Sequence, residues 1–354
     1  MNIIFNPPDN DENKYIANMV GPLRKEGFKI FALDSFLSSL RHYRSIKLVH
    51  INWFENVDDS SFFIALRSFI RKSVVLIAIK LGNKKLVWTM HNRTSHETGL
   101  SFFSRTLMSL LIRSADKIII HSKVSKALLN EYVKNSDRKA IYLPHPNFIE
   151  SYGPIITTEK SGLDDKRLHL LFIGTIKPYK NIELLIDIAK KFSSTIQLTI
   201  AGKPSSKSYC DKLHKIAQGA KNIHLALRFI ADEEIPTILS TADLLILPYD
   251  IKSSLNSGTV ILAFSYKKSV ICPLIGTISD LEDERKYVLD YSYNNLQEHE
   301  KSLVKSIERA IEMKSDDPYI FDHLGNHLFD YVHKFYDKEL IGKHLAAIYN
   351  ELLS

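Results

Sequence analysis

Two short segments bring lysines, glycines and hydroxyl groups together directly after an apolar run. The first is Gly174-Thr-Ile-Lys-Pro-Tyr-Lys-Asn181, which follows LLFI and precedes the amphipathic stretch IELLIDIAKKF. Glycine lets the backbone approach a ligand closely, and ammonium groups beside a helix N-terminus favour phosphate. Lys177 and Lys180 therefore indicate an anion site, and the alternative is an ordinary solvated turn with two surface lysines.

The second segment runs from Pro248 to Thr259, between DLLIL and the apolar stretch VILAFSY. Ser257, Gly258 and Thr259 offer backbone N–H groups and hydroxyls at the start of a predicted helix, which again suits an anion. A plain helix N-cap is the alternative. Two phosphate-suited helix starts in one half of the chain favour a ligand that carries a diphosphate.

Three histidines stand at the ends of predicted strands, namely His91, His121 and His145. An imidazole titrates near neutral pH, so each could transfer a proton or accept a hydrogen bond, and a purely structural role is the alternative. The polar segment that begins at His91 also contains Asn92, Arg93, His96 and Glu97. This spacing of histidines and glutamate differs from that of a zinc-binding helix, so the sequence predicts no metal site.

Short apolar runs alternate with longer amphipathic segments, which predicts βα units around parallel sheets. The predicted strands of the first half are 2–6, 29–33, 48–53, 86–90, 117–121 and 140–143, and the helices are 12–26, 60–81, 101–114 and 123–134. In the second half the strands are 169–174, 197–201, 224–229, 243–248, 270–273 and 287–290. The helices there are 181–193, 207–219, 232–241, 258–267 and 296–313, followed by a helical tail over 318–353.

The polar segment 151–167 lacks apolar periodicity and is predicted to be a linker. The predicted fold class is therefore α/β, with two Rossmann-like domains facing each other across a cleft. The predicted domains are residues 1–155 and residues 156–336. In open parallel sheets, ligands bind at the loops that follow the carboxyl ends of the strands, and the polar segments described above occupy such loops.

The composition is that of an ordinary folded protein, because the 354 residues are 45% hydrophobic and 25% charged and include only two cysteines. This excludes a disulfide scaffold and favours a reducing compartment. The N-terminus has no signal-peptide pattern, and no stretch has the length and apolarity of a membrane span. The sequence contains no GxGxxG, GxxxxGK(S/T) or GxSxG motif, which removes support for a dinucleotide-dependent dehydrogenase, a P-loop NTPase and an α/β-hydrolase. It also contains no motif that reads RNA or DNA.

The positive charge of the chain lies in its first half. Residues 1–150 carry 22 Lys and Arg against 13 Asp and Glu, a net charge of +9, whereas residues 151–354 carry 25 against 27. Two apolar segments of the first half, 60–81 and 100–113, are interrupted by basic residues and by no acid. Basic amphipathic helices that carry phenylalanine suit an anionic membrane surface, and the alternative is that both pack on the sheet with basic outer edges.

Over nearly its whole length the chain resembles the GT-B glycosyltransferases, in particular the family 4-like enzymes (glycosyl transferases group 1) of bacterial polysaccharide assembly. In the second half the resemblance rests on LLFIGTIKPYKNIELLIDIAKKF, IQLTIAGKP, LRFIADEEIPTILSTADLLILPY and NSGTVILAFSYKKSVICP. In the first half it rests on KLVHINWFEN, KLVWTMHNRTSHE, SADKIIIHS and YLPHPNF. The resemblance implies that the first domain binds the acceptor and the second binds a nucleotide-diphosphate sugar. It also implies that residues 337–354 form a helix that crosses back to the first domain.

The resemblance further implies roles for individual residues. The implied donor-binding residues are Gly174, Thr175, Lys177, Lys180, Lys203, Phe229, Ile230, Tyr249, Ser257, Gly258 and Thr259. Lys203, Phe229 and Ile230 would lie beside the nucleotide base, and Lys180 would stabilise the departing diphosphate. His91 would face the donor sugar. The implied acceptor-binding residues are Asn6, Tyr15, Asn92 and His96.

Two positions depart from the pattern of the family. Many members carry two glutamates eight positions apart, where this chain has Ser254 and Leu262. Leucine cannot hydrogen-bond a ribose or a sugar hydroxyl, so a retaining mechanism is not carried over. An arginine that often follows the first glycine is replaced here by Thr175, for which Lys177 is expected to compensate.

The sequence therefore predicts a cytoplasmic glycosyltransferase, peripheral on the inner face of the plasma membrane. It would move a sugar from a nucleotide-diphosphate sugar to a glycan or polyprenyl-diphosphate-linked acceptor in surface polysaccharide assembly, with no metal, no further cofactor and no nucleic acid. If the reaction inverts the anomeric centre, Glu97, His91 or His96 would be the base, and if it retains it, the departing phosphate would take the proton. The alternatives are a non-catalytic nucleotide-sugar-binding subunit and a GT-B nucleotide-sugar epimerase.

Overall fold

A computed structural model describes residues 1–10, 13–57, 61–91, 101–156 and 166–354 of the chain. The chain divides into two compact units. Unit 1 comprises Met1–Pro146, Lys252–Asn256 and Tyr336–Ser354, and unit 2 comprises Asn147–Ile251 and Ser257–Phe335.

The first change of unit falls between Pro146 and Asn147, ahead of the predicted boundary after residue 155. The side-chain amide of Asn147 donates to the carbonyl of Val332 at 3.0 Å, and the Phe148 N–H donates to Ser265 Oγ at 2.9 Å. These bonds tie the residues just before the predicted linker to unit 2. The later part of that linker, residues 157–165, lies outside the described residues.

Unit 1 is built on six parallel strands in the order β2-β1-β3-β4-β5-β6. The strands are β1 Asn2–Asn6, β2 Lys29–Phe31, β3 Leu48–Asn52, β4 Lys85–Met90, β5 Lys117–Ile120 and β6 Ala140–Tyr142. The helices are α1 Lys14–Lys25, α2 Leu40–Ser45, α3 Phe62–Leu81, α4 Ser101–Ser114, α5 Ser125–Tyr132 and, at the end of the chain, α13 Lys338–Leu353. The central strands are almost wholly buried, as in parallel sheets covered on both faces.

The two faces of this sheet carry separate apolar clusters. One cluster joins α1 and α13 to the sheet and contains Tyr15, Met19, Leu345 and Tyr349. Helix α13 lies so close to α1 that a Cβ atom at Gly342 would stand 2.1 Å from Pro22 Cβ. The other cluster includes residues of α3 and α4.

Unit 2 is built on six parallel strands in the order β12-β11-β10-β7-β8-β9. The strands are β7 Leu168–Ile173, β8 Ile196–Ala201, β9 Ile223–Ala226, β10 Leu244–Ile246, β11 Ser269–Pro273 and β12 Leu289–Tyr291. The helices are α6 Ile182–Lys191, α7 Lys207–Ala217, α8 Ile235–Ser240, α9 Gly258–Ser265, α10 Gly276–Ser279, α11 Leu296–Asp316 and α12 Ile320–Phe335. This is the Rossmann strand order, and the chain reverses its direction of travel across the sheet between β7 and β10.

Each of these strands overlaps a predicted one, and the α/β fold class with two Rossmann-like domains is confirmed. Two short helices, α2 and α10, were not predicted, because four to six residues are too few to show a helical period. The predicted helical tail is divided into α12 and α13. Asp337 caps the second of these, since its Oδ1 accepts the Leu340 N–H at 2.9 Å.

Candidate functional site

The loops that follow the strands of unit 2 meet at one edge of its sheet, because all six strands are parallel. The loop after β7 carries Gly174 and Lys180, and the loop after β10 carries Tyr249. These strands are neighbours at the point where the strand order reverses, which is where open α/β sheets bind ligands. The two polar segments that the sequence singled out therefore lie at this position.

Lys180 is a buried cation at this edge, with 8% of its surface exposed. Its Nζ lies 5.6, 6.0 and 5.4 Å from the ring centres of Phe172, Tyr179 and Tyr249. Burial, helped by the charge of Lys177, lowers the pKa of Lys180 to about 8. Among the described residues it has no hydrogen-bond or ion-pair partner. A buried charge without a counter-ion is unfavourable, so this position suits an anionic ligand.

Glycine keeps the space next to this amine open. Gly174 has a φ of +132°, and a Cβ atom built on it would lie 3.5 Å from Lys180 Nζ and 3.6 Å from Thr259 Oγ1. Gly202, in the turn after β8, has a φ of +146°, and a Cβ atom there would stand only 1.9 Å from the Gly174 carbonyl oxygen. The two turns therefore meet backbone to backbone, and Gly174, Lys180 and Thr259 surround one small space.

The N-terminus of α9 contributes donors to the same space. Ser257 caps this helix, because its Oγ accepts the Val260 N–H at 3.2 Å, while its own N–H donates to Thr277 Oγ1 at 2.9 Å. Ser257 therefore supports the loop, which corresponds to the plain N-cap alternative. The N–H groups of Gly258 and Thr259 have no acceptor among the described residues. These two N–H groups are therefore open to an anion, whereas the Thr259 side chain is hydrogen-bonded to that of Tyr249.

Three side chains that the sequence did not single out hold these loops in place. Tyr293 Oη accepts the Ile251 N–H at 2.9 Å and donates to the carbonyl of Tyr249 at 2.9 Å. The Asn181 amide donates to the Pro248 carbonyl at 2.9 Å. The third is Thr277, which binds Ser257. Tyr293 and Thr277 lie 20 or more residues away along the chain from the loop residues that they bind, so no local sequence pattern predicts these contacts.

The remaining predicted donor contacts lie on loops at the same edge. Lys203 follows β8 with an exposed side chain, and its carbonyl accepts the Ile176 N–H at 3.0 Å. Phe229 follows β9 and is 54% exposed, whereas the adjacent Ile230 is buried. Thr175 is exposed and Lys177 is half-buried. An exposed phenyl ring at the edge of a site offers a flat surface on which a base can stack.

Unit 1 has its own cluster at the corresponding edge of its sheet. Trp53, His91 and His121 are the first residues after β3, β4 and β5, and His145 follows β6. Their ring centres lie 5.8, 5.0, 5.4 and 4.9 Å from the ring centre of Tyr15. The parallel strands thus bring together three histidines that are separated along the chain, as the sequence had placed them at strand ends.

Hydrogen bonds fix the protonation of these rings. His121 Nδ1 lies 2.8 Å from the Leu143 carbonyl, which only accepts, so this nitrogen carries the proton and Nε2 accepts from the Tyr15 hydroxyl at 2.9 Å. His91 Nε2 lies 3.0 Å from Asn52 Oδ1. The Asn52 amide nitrogen donates to the carbonyl of Asn6 at 3.1 Å, so its oxygen is the acceptor and His91 Nε2 is the donor.

The histidines of this cluster are neutral at physiological pH. Burial lowers the pKa of His121 to about 4 and that of His145 to about 3, with the neighbouring His121 adding to the second shift. The pKa of His50, which lies within strand β3, is likewise lowered to about 3 by burial and by His121. Burial and the adjacent histidines hold the pKa of His91 well below its usual range. The Nδ1 atom of His91 has no partner among the described residues and offers a lone pair. Its ring is held by Trp53, which stacks on it at 4.2 Å.

The predicted acceptor residues of unit 1 have different positions. Tyr15 is 1% exposed and its hydroxyl is bonded to His121, so it supports the ring cluster and is not open to a ligand. Asn6 is half-buried at the end of β1. Asn92, His96 and Glu97 lie outside the described residues. Within the described parts of the chain, no group of three or more His, Cys, Asp or Glu side chains could hold a metal ion.

Comparison with known proteins begins with a family model. The glycosyl transferases group 1 model matches residues 156–315. A GDP-mannose:glycolipid 4-beta-D-mannosyltransferase of Xanthomonas campestris pv. campestris is 28% identical over 116 residues, which cover 32% of this chain and 33% of that protein. The D-rhamnosyltransferase WbpZ of Pseudomonas aeruginosa is 24% identical over 204 residues, 55% of this chain and 50% of that protein. The chain thus spans a third to a half of the length of these relatives.

Solved structures match over nearly the whole chain. The crystal structure of Anabaena Alr3699/HepE in complex with UDP has a TM-score of 0.71 at 14% identity, covering 99% of this chain and 100% of that one. A glycosyltransferase from Rickettsia africae has a TM-score of 0.66 at 16% identity, covering 95% and 88%. The similarity confirms the fold expected from the sequence. We conclude that the chain has the GT-B glycosyltransferase fold and that its residues 156–315 match the glycosyl transferases group 1 model.

Proposed function

We propose that this protein transfers a hexosyl group from a nucleotide-diphosphate sugar to a glycan or lipid-linked glycan acceptor in surface polysaccharide assembly, at the cytoplasmic face of a membrane. The observation that carries the proposal is the buried amine of Lys180, which has no counter-ion in the described part of the chain and lies in the segment that matches the group 1 model. Relatives of the chain are named as a GDP-mannose:glycolipid mannosyltransferase and a rhamnosyltransferase. Both names describe transfer of a sugar.

Unit 2 is proposed to hold the donor, with its diphosphate in the space between Gly174, Lys180 and Thr259. When the glycosidic bond to the diphosphate breaks, negative charge grows on the departing phosphate oxygen. The Lys180 ammonium and the free N–H groups of Gly258 and Thr259 are fixed before the reaction, so they stabilise this charge without reorganisation. The nucleotide base is proposed to stack at Phe229 and Ile230, with Lys203 beside it.

These groups already supply the positive charge that a divalent metal would bring to a diphosphate. We therefore propose that the nucleotide sugar is the only co-substrate and that no metal is obligatory. The expected outcome is transfer that continues in excess EDTA at an unchanged rate. A rate that falls with EDTA and returns with Mg²⁺ or Mn²⁺ would contradict this part of the proposal.

Unit 1 is proposed to hold the acceptor, with Asn6 and His91 at the edge of its sheet. Asn92 and His96, which lie outside the described residues, are proposed as further contacts. His91 presents a neutral imidazole whose Nδ1 has no partner among the described residues and can accept a hydrogen bond or a proton from a sugar hydroxyl. Glu97 and His96 are further proposed bases if the reaction inverts the anomeric centre. If it retains the configuration, the departing phosphate takes the proton from the acceptor.

One observation keeps a second function in view. Leu262 occupies a position where relatives often carry a glutamate, and it is an apolar side chain buried to 9% exposure in α9. A protein with fewer contacts to the sugar could bind a nucleotide sugar without transferring it, as a subunit of an active transferase. Donor binding without turnover would support that alternative, and conversion of the donor without acceptor would support an epimerase.

The test begins with a thermal-shift measurement of the full chain with UDP, GDP, ADP, CMP, GDP-mannose and UDP-glucose, because a ligand that binds only the folded protein raises its melting temperature. We expect one diphosphate series to raise it and CMP, a monophosphate, to have little effect. Lys180→Ala should abolish that shift and lower kcat/KM about 100-fold or more, as loss of a charge-stabilising donor does. The matched control is Lys215→Ala, an exposed lysine of α7. An unchanged shift and rate in Lys180→Ala would remove Lys180 from the mechanism.

A further inference from the structure

One face of helix α3 is apolar and exposed along its whole length. The exposed side chains are Phe63 at 79%, Ile70 at 52%, Val74 at 50%, Ile77 at 57% and Leu81 at 83%. Together with Arg67 they recur every three or four residues, which places them on a single face of the helix. The core-facing side of α3 is a different stripe, formed by Ala65, Leu76 and Ile79.

An apolar face of this size requires a partner. The distance from residue 63 to residue 81 along a helix is about 27 Å at 1.5 Å per residue. At the N-terminal end the face is widened by Phe62 and Phe102, which are 53% and 71% exposed and both pack on Phe103, at 5.7 and 5.8 Å between ring centres. Single exposed apolar side chains are common on protein surfaces, but contiguous patches mark interaction sites.

The charges beside this face identify the chemistry of the partner. Arg67 lies within the face and Arg71 and Lys80 lie on its two flanks, with Lys80 3.8 Å from Asp116 in an exposed pair. Neither α3 nor α4 contains an aspartate or glutamate. Two copies of α3 packed face to face would bring Arg67 and Arg71 of both copies together without an acid of α3 to pair them, which disfavours a dimer through this face. The partner must be apolar inside and negatively charged at its surface.

We propose that α3 lies in the plane of an anionic lipid surface, with its apolar face buried at the boundary of headgroups and acyl chains and its arginines at the phosphates. Phenylalanine, isoleucine and arginine in this arrangement are typical of helices that lie on membranes. In the described ranges, no helix has both the length and the apolarity to cross a membrane. The inference does not depend on the proposed transferase activity, since vesicle binding needs neither donor nor acceptor.

The test is co-sedimentation of the full chain with vesicles of phosphatidylcholine alone or mixed with phosphatidylglycerol. We expect binding to the mixed vesicles only, reduced by salt. The triple variant Ile70→Gln, Val74→Gln, Ile77→Gln should lose this binding, because glutamine keeps the helix but cannot enter the acyl region. Leu296→Gln, at a 76% exposed leucine in α11 of unit 2, is the matched control and should bind like wild type.

A second pair of variants separates the charge from the apolar face. Arg67→Gln with Arg71→Gln should weaken binding to anionic vesicles roughly 25-fold, at about fivefold per basic residue near the surface, and Lys301→Gln in unit 2 should leave it unchanged. Circular dichroism and the melting temperature show whether each variant is folded. The proposal would be overturned by equal affinity for both kinds of vesicle, by wild-type binding of the folded triple variant, or by a wild-type dimer that this variant dissociates.

Discussion

The same burial leaves the edge clusters of the two units in different charge states. In unit 2, burial lowers the pKa of Lys180 to about 8, so this side chain is still a cation at neutral pH. In unit 1, burial lowers the pKa of His121 to about 4 and that of His145 to about 3, so these rings have lost their charge. Desolvation disfavours the charged form of both residue types, but their ordinary pKa values lie on different sides of 7.

This difference shows how two sheets of similar build obtain different chemistry. Unit 2 keeps a charge that lacks a counter-ion, which fits an anionic ligand. Unit 1 keeps neutral rings with defined hydrogen atoms, which fit the hydroxyl groups of a sugar. The contrast predicts that acid will affect unit 1 most, that removal of the unit 2 charge will stabilise the protein, and that a single methyl group beside that charge will act on binding alone.

The largest expected effect is the loss of unit 1 stability in acid. An unfolded histidine has a pKa near 6.5 and binds a proton below that pH, whereas the folded rings stay neutral down to about pH 4. Proton binding therefore stabilises the unfolded state relative to the folded state as the pH falls. For His50 and His121 this amounts to about 2 kcal/mol each at pH 5. Trp53 and Trp88 both lie in unit 1 and are the two tryptophans of the chain. Tryptophan fluorescence in urea should therefore show a lower unfolding midpoint at pH 5.0 than at pH 7.5.

Glu55 opposes this effect and supplies the control. Burial raises its pKa to about 7, so the folded state gains stability from this group as the pH falls through 7. Glu55 Oε2 accepts from Trp88 Nε1 at 3.1 Å, a bond that glutamine can also accept. Glu55→Gln should therefore lose more stability than wild type between pH 7.5 and 5.0. A midpoint that does not change in either protein would mean that the histidines are not buried as neutral rings.

The next effect is a gain of stability when Lys180 is replaced by methionine. Holding a lysine with a pKa about 8 in place of 10.5 in the folded state costs about 3 kcal/mol at neutral pH, of which the ring contacts return part. Lys180→Met should therefore raise the stability of the free protein by about 1–3 kcal/mol while abolishing donor binding. The gain should shrink as the pH rises from 8 towards 10.5, because the folded lysine loses its proton there while the unfolded one keeps it.

Calorimetry of the ligand-free proteins between pH 7 and 10 measures this difference. Lys177→Met, at the half-buried lysine of the same loop, is the control and should show a smaller change. If Lys180→Met melts below wild type at every pH, the amine contributes to the fold and is not held there for a ligand.

Much of this arrangement follows from the sequence, because strand patterns and the residues that end each strand are local features. Gly174 and Lys180 beside a predicted strand end, and His91 and His121 after two others, were identified in this way. What the sequence could not provide is the neighbourhood of each side chain. Nothing around Lys180 in the chain predicts that Phe172 and Tyr249 lie close to its amine, because the second ring comes from another strand of the sheet.

The same limit explains two residues whose roles differ from expectation. Ser257 carries a hydroxyl at a helix start, which suits a phosphate and an N-cap equally, and only the bonds to Val260 and Thr277 show that it is engaged in the fold. Tyr15 lies in the first turn of α1, where a contact with the acceptor was expected, but it is buried and its hydroxyl is bonded to His121. Burial depends on packing between elements, and periodicity alone does not determine which polar residues are covered.

The smallest expected effect is also the most local, and it comes from Gly174→Ala. The added methyl group would stand 3.5 Å from Lys180 Nζ and 3.6 Å from Thr259 Oγ1, where we place a phosphate oxygen. We expect about tenfold weaker binding of the diphosphate that stabilises wild type. Because a φ of +132° disfavours alanine, stability should also fall by about 1 kcal/mol.

Two other glycines separate strain from steric overlap. Gly219 has a φ of +82° and nothing within 4 Å of its Cβ position, so Gly219→Ala should lose similar stability and keep wild-type binding. Gly202→Ala would place its methyl group 1.9 Å from the Gly174 carbonyl oxygen and should not fold. Titration calorimetry with the diphosphate compares the two foldable variants. If Gly174→Ala binds as tightly as Gly219→Ala, the phosphate does not occupy the space beside Lys180, and the unpaired amine must serve another group.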